Sequence, residues 1–463
     1  MFIAREKELQ LLNKYYRKDS FELLILYGRR RVGKTSLLTE FIKGKKAIFF
    51  SAEENNDTLN LEKFSEIVLT YFGEEEFLST FKTWELAFRY VSEKIHDERL
   101  IIIIDELPYL VSGNPSFLST LQHLIDHDLI NKNIFLILSG SSISFIENEV
   151  IAHKSPIFGR KTGQLVVEPF DYFDVARFFE TYSYLEKLEA YGILGGVPLY
   201  LLKFDCRESI KENVIENILD IGAYLYDEPK NLMHQELRNP AVYNAIIEAI
   251  ASGASRPNEI ATKIGENVNK THKYMQTLLE LRIIVKIQPV DNKRGNKSIY
   301  RLKDNLFRFI YRFVYRYKSM VEQGLAEVVY TKKIETYFNE YMGGIFEDIC
   351  LEYLIRKNRE QKLPFIVEEF GTWWGNNSID KRQEEIDIVG LGEDNVLYAE
   401  CKYRNELVGK EVYEMLVYRS MFIKSPSKHY YIFSKSGFKK ELIEIAKKDT
   451  RLTLIKSDGL FRI

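Results

Sequence analysis

Residues 28–35 read Gly28-Arg29-Arg30-Arg31-Val32-Gly33-Lys34-Thr35, a G-x-x-x-x-G-K-T loop between the apolar run Leu23-Leu24-Ile25-Leu26 and the helix-like Ser36-Leu37-Leu38-Thr39-Glu40-Phe41-Ile42. Strand, glycine-bounded loop and helix in that order call for an α/β fold with a phosphate-binding turn at a helix N-terminus. The glycines let successive backbone N–H groups turn inward around phosphate oxygens, and the helix dipole adds a favourable field. Gly28, Arg29, Arg30, Arg31, Val32, Gly33, Lys34, Thr35 and Ser36 are therefore the expected cradle of a nucleoside triphosphate. Lys34 is expected to reach the β- and γ-phosphates, and the Thr35 hydroxyl to coordinate Mg²⁺.

At 463 residues the chain exceeds what one core supports, so roughly two to four domains are expected. Hydrophobic residues at 45% and charged residues at 29% describe a globular protein and exclude a largely disordered one. Met1-Phe2-Ile3-Ala4-Arg5-Glu6 lacks the layout of a signal peptide, and no apolar run is long enough to cross a bilayer. Cys206, Cys350 and Cys401 are widely separated, without metal or redox spacing, which suits a reducing cytoplasm. The expectation is a cytoplasmic protein with no membrane partner.

Downstream, Leu100-Ile101-Ile102-Ile103-Ile104-Asp105-Glu106 describes a buried parallel strand with two carboxylates at its C-terminal edge, where ligands gather in open sheets. Asp105 is expected to hold Mg²⁺, and Glu106 to orient or deprotonate the attacking water. A third strand, Ile134-Phe135-Leu136-Ile137-Leu138, ends in Ser139-Gly140-Ser141-Ser142, whose hydroxyls suit sensing of the γ-phosphate. Arg160, after Gly159, offers a guanidinium to the same phosphate from its own or a neighbouring subunit.

Phe2-Ile3-Ala4-Arg5-Glu6-Lys7-Glu8-Leu9 resembles the N-terminal R-E-x-E-L box of the archaeal-type P-loop ATPases, relatives of the AAA+ and STAND ATPases. The phosphate loop, the strand ending in Asp105-Glu106, Ser139-Gly140-Ser141 and Gly159-Arg160 match that family in order and spacing. Gly195-Gly196-Val197-Pro198-Leu199-Tyr200 is similar to its G-G-x-P-x-Y signature in a helical lid. The resemblance covers roughly the first half of the chain. It implies ATP rather than GTP, Arg5 and Glu6 near the base, and a possible homo-oligomer.

The net charge of −2 conceals a basic stretch: from Lys270 to Lys318 there are thirteen Lys and Arg against Glu280, Asp291 and Asp304. Such a stretch reads as an anion-binding face, or equally as a solvated surface balanced by acids from elsewhere in the fold. The same region patterns as three short helices: one around Tyr243–Ile250, one from Pro257, and one over 267–281. Two β-like runs follow, 283–287 and 298–302, joined by Asp291-Asn292-Lys293-Arg294-Gly295-Asn296-Lys297. Together they predict a winged helix-turn-helix, with Lys270 and Lys273 facing a DNA groove and Lys293, Arg294 and Lys297 at the wing. The alternative is a winged helix that only packs between domains.

The last third contains Asp387, then twelve residues, then Glu400-Cys401-Lys402, all in strand-like surroundings. Glu400 and Lys402 share one face because strand side chains alternate. Two carboxylates and a lysine suit a hydrolytic Mg²⁺ site: Asp387 and Glu400 hold the ion, and Lys402 orients water or stabilises the pentavalent transition state. The pattern resembles PD-(D/E)xK restriction-endonuclease-like nucleases, and Glu347 on a preceding helix fits the extra acidic ligand that family often carries. Trp373-Trp374-Gly375 also looks like the C-terminal domain commonly fused to archaeal-type ATPases. The alternatives are a retained fold whose acids form ion pairs, or binding without cleavage.

His123 and His127 stand four apart with no third ligand in view, and the stripe Phe307, Phe309, Tyr311, Phe313, Tyr315 and Tyr317 reads as the core face of an amphipathic helix. The expected architecture is α/β throughout: an ATPase core over 1–170 with a parallel sheet, a helical lid over 171–235, and a winged helix-turn-helix over 236–305. A connecting helix over 306–334 then leads to a restriction-endonuclease-like domain over 335–463. The expected function is an ATP-hydrolysing, DNA-binding protein whose nucleotide state controls a Mg²⁺-dependent nuclease site. Its competitors are an ATP-dependent switch or transcriptional regulator that cuts nothing, and a signalling ATPase that never meets nucleic acid.

Overall fold

Five apolar runs, β1 (Glu22–Tyr27), β2 (Ala47–Ser51), β3 (Leu100–Asp105), β4 (Ile134–Gly140) and β5 (Gly163–Val166), pair side by side in the order β2-β3-β4-β1-β5. Every pairing is parallel. Residues 2–76, 79–96, 98–237, 239–290, 298–377 and 382–462 are described by this computed structural model. Every residue of β1, β3 and β4 is buried, because helices cover both faces; hence those strands read as continuous apolar runs. One face packs Phe50, Phe64, Trp84, Phe88 and Phe117, and the other packs Leu12, Leu24, Phe41, Ile101 and Phe135. The chain leaves β1 for the far edge at β2, returns through β3 and β4, and passes β1 to reach β5. The turns after β1, β3 and β4 therefore open along one carboxyl edge, as expected of a parallel ATPase core.

That sheet belongs to a first compact unit, which runs to Pro169 and takes in Val197–Leu199. The second unit comprises Phe170–Gly196 and everything from Tyr200 onward. The division thus falls at 169/170, whereas the expected lid over 171–235 groups with the C-terminal modules. Hydrogen bonds supply the reason. In the helix Tyr184–Leu194, the Tyr191 hydroxyl donates to Glu352 at 2.7 Å, and the Tyr191 carbonyl accepts from the Asn305 side chain at 3.0 Å. The Tyr341 hydroxyl donates to the Gly192 carbonyl at 2.8 Å, and the Tyr172 hydroxyl to the Leu460 carbonyl at 2.8 Å.

Gly196 shows why the G-G pair is needed. The Phe170 N–H donates to the Gly196 carbonyl at 2.8 Å, and a Cβ on Gly196 would lie 1.8 Å from the Phe170 carbonyl oxygen. Gly196→Ala is expected to lower stability by about 3 kcal/mol or more, since backbone must move to admit the methyl. A urea-unfolding midpoint equal to that of the parent would refute this contact.

Within the second unit, helices Pro240–Ala251, Pro257–Ile264 and Val268–Glu280 precede an antiparallel pair, β6 (Ile284–Ile287) and β7 (Ile299–Leu302). These elements are those expected. Glu259 accepts from the Ser255 and Arg256 N–H groups at 3.0 Å each and fixes the start of the middle helix, which has Pro257 in its first turn. The first four residues of the aromatic stripe are core and the last two only half-buried: Phe307 and Phe309 are fully buried, Phe309 and Phe313 both pack on Tyr341, and Tyr315 and Tyr317 are partly exposed.

The 25-residue helix Glu335–Arg359 leads into a second five-stranded sheet, β8 (Glu369–Asn377), β9 (Arg382–Leu391), β10 (Asn395–Lys402), β11 (Ser427–Ser434) and β12 (Leu452–Lys456). Its order is β12-β11-β10-β9-β8. β8, β9 and β10 form an antiparallel meander, and β10, β11 and β12 run parallel with the helices Lys410–Arg419 and Lys440–Lys448 between them. Beyond β6, the Val290 N–H donates to the Thr372 carbonyl at 3.1 Å, so the hairpin and this sheet share a unit. Among the described residues, no helix is long and apolar enough to cross a membrane.

Candidate functional sites

Gly28 ends β1 where a Cβ would lie 2.3 Å from the Val167 carbonyl oxygen, so glycine alone fits that approach. Arg31 and Gly33 take positive φ, 71° and 87°, and close the loop onto the helix Lys34–Ile42. The buried Lys34 ammonium points back into the loop, donating to the Gly28 and Arg29 carbonyls at 3.0 and 3.2 Å. The Thr35 hydroxyl donates to Asp105 Oδ2 at 2.8 Å, which joins the two expected Mg²⁺ ligands, one in the first turn of the helix Lys34–Ile42 and one at the end of β3. Hard oxygens from one hydroxyl and one carboxylate, beside a phosphate cradle, fit Mg²⁺, which keeps most of its remaining shell as water and phosphate.

Glu106 sits in the left-handed region at φ 53°, which turns its carboxylate out of the strand line, and Ser141 donates to its Oε2 at 2.7 Å. Ser139 is instead inside β4 opposite Leu26, fully buried, its hydroxyl without a hydrogen-bond partner among the described residues. The hydroxyl that meets the candidate catalytic acid is thus Ser141. Arg5 is buried and donates to the Val32 carbonyl at 2.9 Å and to Glu8 at 2.8 Å, so it braces the loop. Glu6 begins the helix Glu6–Tyr16. Arg30 donates to the Tyr109 hydroxyl at 2.9 Å, a partner that sequence reasoning missed although it follows Glu106 by three positions. Pro198 also reaches the loop: its Cγ lies 3.7 Å from where a Cβ on Gly33 would stand.

Arg160 is engaged elsewhere. Its Nε and Nη2 donate to the two Asp126 oxygens at 2.7 Å each, and its Nη1 to the Pro156 carbonyl at 3.1 Å. The guanidinium holds the Asp126 carboxyl below its usual range. No sequence pattern links 126 with 160. The His123 and His127 rings lie 4.4 Å apart and flank Asp126.

In the second unit, Ala399 pairs with Ile388, so Glu400 on β10 stands beside Asp387 on β9. Asp387 Oδ2 accepts from the Cys401 N–H at 2.7 Å, and Lys402 donates to Glu400 Oε1 at 2.6 Å. Burial first, then the Glu400 and Glu347 charges, push the Asp387 carboxyl up. Burial also pushes Glu347 up to about 7, partly offset by Arg301. For Lys402, burial favours the neutral amine, but Glu400 and Asp387 outweigh it and keep the ammonium above its ordinary value. The expected residues therefore share one electrostatic neighbourhood. Arg419, which the sequence did not single out, donates to both Glu400 oxygens at 3.3 Å and to Glu384 at 3.0 Å. Among the described residues, no three or more His, Cys, Asp or Glu side chains gather so as to hold a metal ion.

The basic stretch is narrower than its composition suggested. Arg301 and Arg308 both pair with Asp348, the latter at 2.9 Å; Arg312 pairs with Glu340 at 2.8 Å and Lys318 with Glu322 at 3.2 Å. Lys270 pairs with Glu266 at 2.9 Å, while Lys273 lies exposed on the helix Val268–Glu280. Lys293, Arg294 and Lys297 lie outside the described residues.

With this geometry in place, residues 2–204 match an ATPase domain found predominantly in Archaea, and residues 310–415 match a family described as archaeal and bacterial proteins of unknown function. An uncharacterised protein of Methanocaldococcus jannaschii is 32% identical over 431 residues, covering 92% of this chain and 92% of the relative. A shorter protein of the same organism, described as an uncharacterised ATP-binding protein, is 48% identical over 46 residues, 10% of this chain and 78% of its own length. Among solved structures, the Walker-type ATPase of Pyrococcus abyssi aligns with TM-score 0.49 at 20% identity, over 67% of this chain and 96% of that one.

Proposed function

The chain belongs to the family of the Methanocaldococcus jannaschii relative that it matches over 431 residues, with a P-loop ATPase domain in its N-terminal part, and on that premise we propose that it is an ATP-hydrolysing, DNA-binding protein whose nucleotide state controls a nuclease-like C-terminal domain. The observation that carries the ATPase part is the chain of contacts Lys34 to the loop carbonyls, Thr35 to Asp105, and Ser141 to Glu106. When ATP binds, Lys34 would exchange the Gly28 and Arg29 carbonyls for phosphate oxygens, and Thr35 with Asp105 would hold Mg²⁺. Mg²⁺ supplies charge neutralisation at the β- and γ-phosphates. Glu106, held by Ser141, orients the attacking water, and Arg160 joins the γ-phosphate if its pairing with Asp126 opens. ATP is favoured over GTP by the resemblance of the N-terminal half and by the name of the short relative. Cytoplasmic localisation and homo-oligomer formation are parts of the same reading.

The three helices with the β6–β7 hairpin support a winged helix-turn-helix that contacts DNA through Lys273 and the wing lysines and arginine. Lys293→Glu with Arg294→Glu is expected to weaken duplex binding about tenfold or more at about 0.1 M salt and to flatten its salt dependence. Equal affinity and equal slope would remove the wing from the interface. The helix–meander–helix–strand order, with Asp387, Glu400 and Lys402 on neighbouring strands and Glu347 on the leading helix, supports a PD-(D/E)xK-type domain. In that reading Asp387 and Glu400, with Glu347, hold Mg²⁺ and Lys402 positions water.

A specific observation favours a second reading: Glu400 is already engaged by two cations, which suits an ATP-dependent switch or transcriptional regulator whose nuclease-like domain does not cut. Incubating the full chain with supercoiled plasmid and Mg²⁺ or Mn²⁺, with and without ATP, separates the two. Nicking supports the nuclease. ATP turnover with salt-sensitive DNA binding and intact plasmid supports the switch, and ATP turnover without DNA binding supports a signalling ATPase.

A further inference from the structure

Arg419 closes the helix Lys410–Arg419 and reaches back to two strands at once. Its Nε donates to Glu384 on β9, and its Nη1 is equidistant, at 3.3 Å, from both oxygens of Glu400 on β10. Both carboxylates are almost fully buried, Glu384 at 2% and Glu400 at 5% exposure, so neither has bulk water as its counter-charge. Lys402 adds a second cation to Glu400 at 2.6 Å. Asp387, the next carboxylate across the strands, accepts the Cys401 N–H, while the hydrogen bonds of Arg419 and Lys402 go to Glu384 and Glu400. The two cations therefore lie on one member of the carboxylate pair, the one whose oxygens a divalent ion would need.

We propose that Arg419, anchored by Glu384, is an internal counter-cation that competes with a divalent metal ion for Glu400. The proposal rests on the reading of Asp387 and Glu400 as a cation site. Its physical basis is the cost of burying unpaired charge. Without a metal, buried carboxyl groups at 387 and 400 on neighbouring strands cannot both carry charge cheaply, and a guanidinium at Glu400 stabilises the charge there. A symmetrical approach to both oxygens uses the carboxylate as a bidentate ligand would, so an arriving cation must displace the guanidinium or accept a positive charge next to it. Glu384 gives the guanidinium somewhere to stay when Glu400 turns away, which makes the exchange reversible without leaving Arg419 buried and unpaired.

The test is Mn²⁺ binding to the full chain without nucleotide, followed by electron paramagnetic resonance of free Mn²⁺, with Asp387→Asn as the blank. Arg419→Gln is expected to bind one Mn²⁺ about tenfold more tightly than the parent. Glu384→Gln, which leaves a displaced guanidinium without its second carboxylate, should bind Mn²⁺ more weakly than the parent, and Arg419→Lys, which keeps the charge, should stay near the parent. Tighter binding by Arg419→Gln and weaker binding by Glu384→Gln, with parental Arg419→Lys, support the competition. Binding above the blank that is equal or weaker in Arg419→Gln overturns the counter-cation role and leaves the cation site standing. If Arg419→Gln fails to fold, as judged by circular dichroism, Glu384→Gln decides, and parental affinity there overturns the proposal. No binding above the blank in any variant overturns both the proposal and the cation site.

Discussion

Lys34→Ala is expected to abolish ATP turnover and to weaken nucleotide binding by a factor of about 100 or more. The Lys34 ammonium is buried and already directed into the loop, held at 3.0 Å by the Gly28 carbonyl. Binding moves it a short way onto phosphate, so little side-chain entropy is lost at that step. Alanine removes the ammonium that lies against the Gly28 and Arg29 carbonyls and leaves those carbonyls facing phosphate without that donor between them. Charge-assisted hydrogen bonds to phosphate contribute on the order of 1.5–3 kcal/mol each, and two lost together give the stated factor. Thr35→Ala should differ in kind, because it removes the partner of Asp105 while leaving Lys34 in place: binding of nucleotide without Mg²⁺ persists and its Mg²⁺ dependence is lost. Titration with a fluorescent ATP analogue, with and without Mg²⁺, distinguishes the two. Phosphate release by Lys34→Ala at the parental rate would refute the loop as the site of hydrolysis.

The first sheet was legible because parallel strands buried on both faces leave a plain trace, as in Leu100 to Ile104, and because phosphate chemistry needs backbone at fixed spacing from one lysine. What stayed illegible concerns side-chain partners distant in sequence. Ser139 and Ser141 are two residues apart, and only the end of β4 decides which hydroxyl meets Glu106. Arg160 reads as a free guanidinium until Asp126, thirty-four positions earlier, is seen to hold it. Likewise the acids that neutralise Arg301, Arg308 and Arg312 are Asp348 and Glu340, on a helix beyond the stretch in which the charge was counted. Charge density along a chain measures a surface only where the fold leaves that surface unpaired.

The assignment of the second site has the sharpest consequence at Asp387. Asp387→Asn preserves shape and one acceptor oxygen, so the Cys401 N–H keeps its partner and β9 stays paired with β10. It removes the negative charge, which a hard cation requires. If the site cuts, Asp387→Asn is expected to lower nicking of supercoiled plasmid by about 1000-fold or more while duplex affinity changes less than about twofold. Lys402→Ala should fall comparably by a different route, since Glu400 would keep Arg419 as its counter-charge and lose the amine that positions water. The pH profile adds an independent mark. Burial raises Glu347 to about 7 and also raises Asp387, and metal ligands must be ionised to bind. Mg²⁺-dependent cleavage should therefore climb with pH through about 7, and the Mg²⁺ concentration needed at lower pH should be greater. Glu347→Gln removes the group raised to about 7 and should flatten the climb. Nicking by Asp387→Asn at the parental rate, with the same metal requirement, would assign any cleavage to another site in the chain.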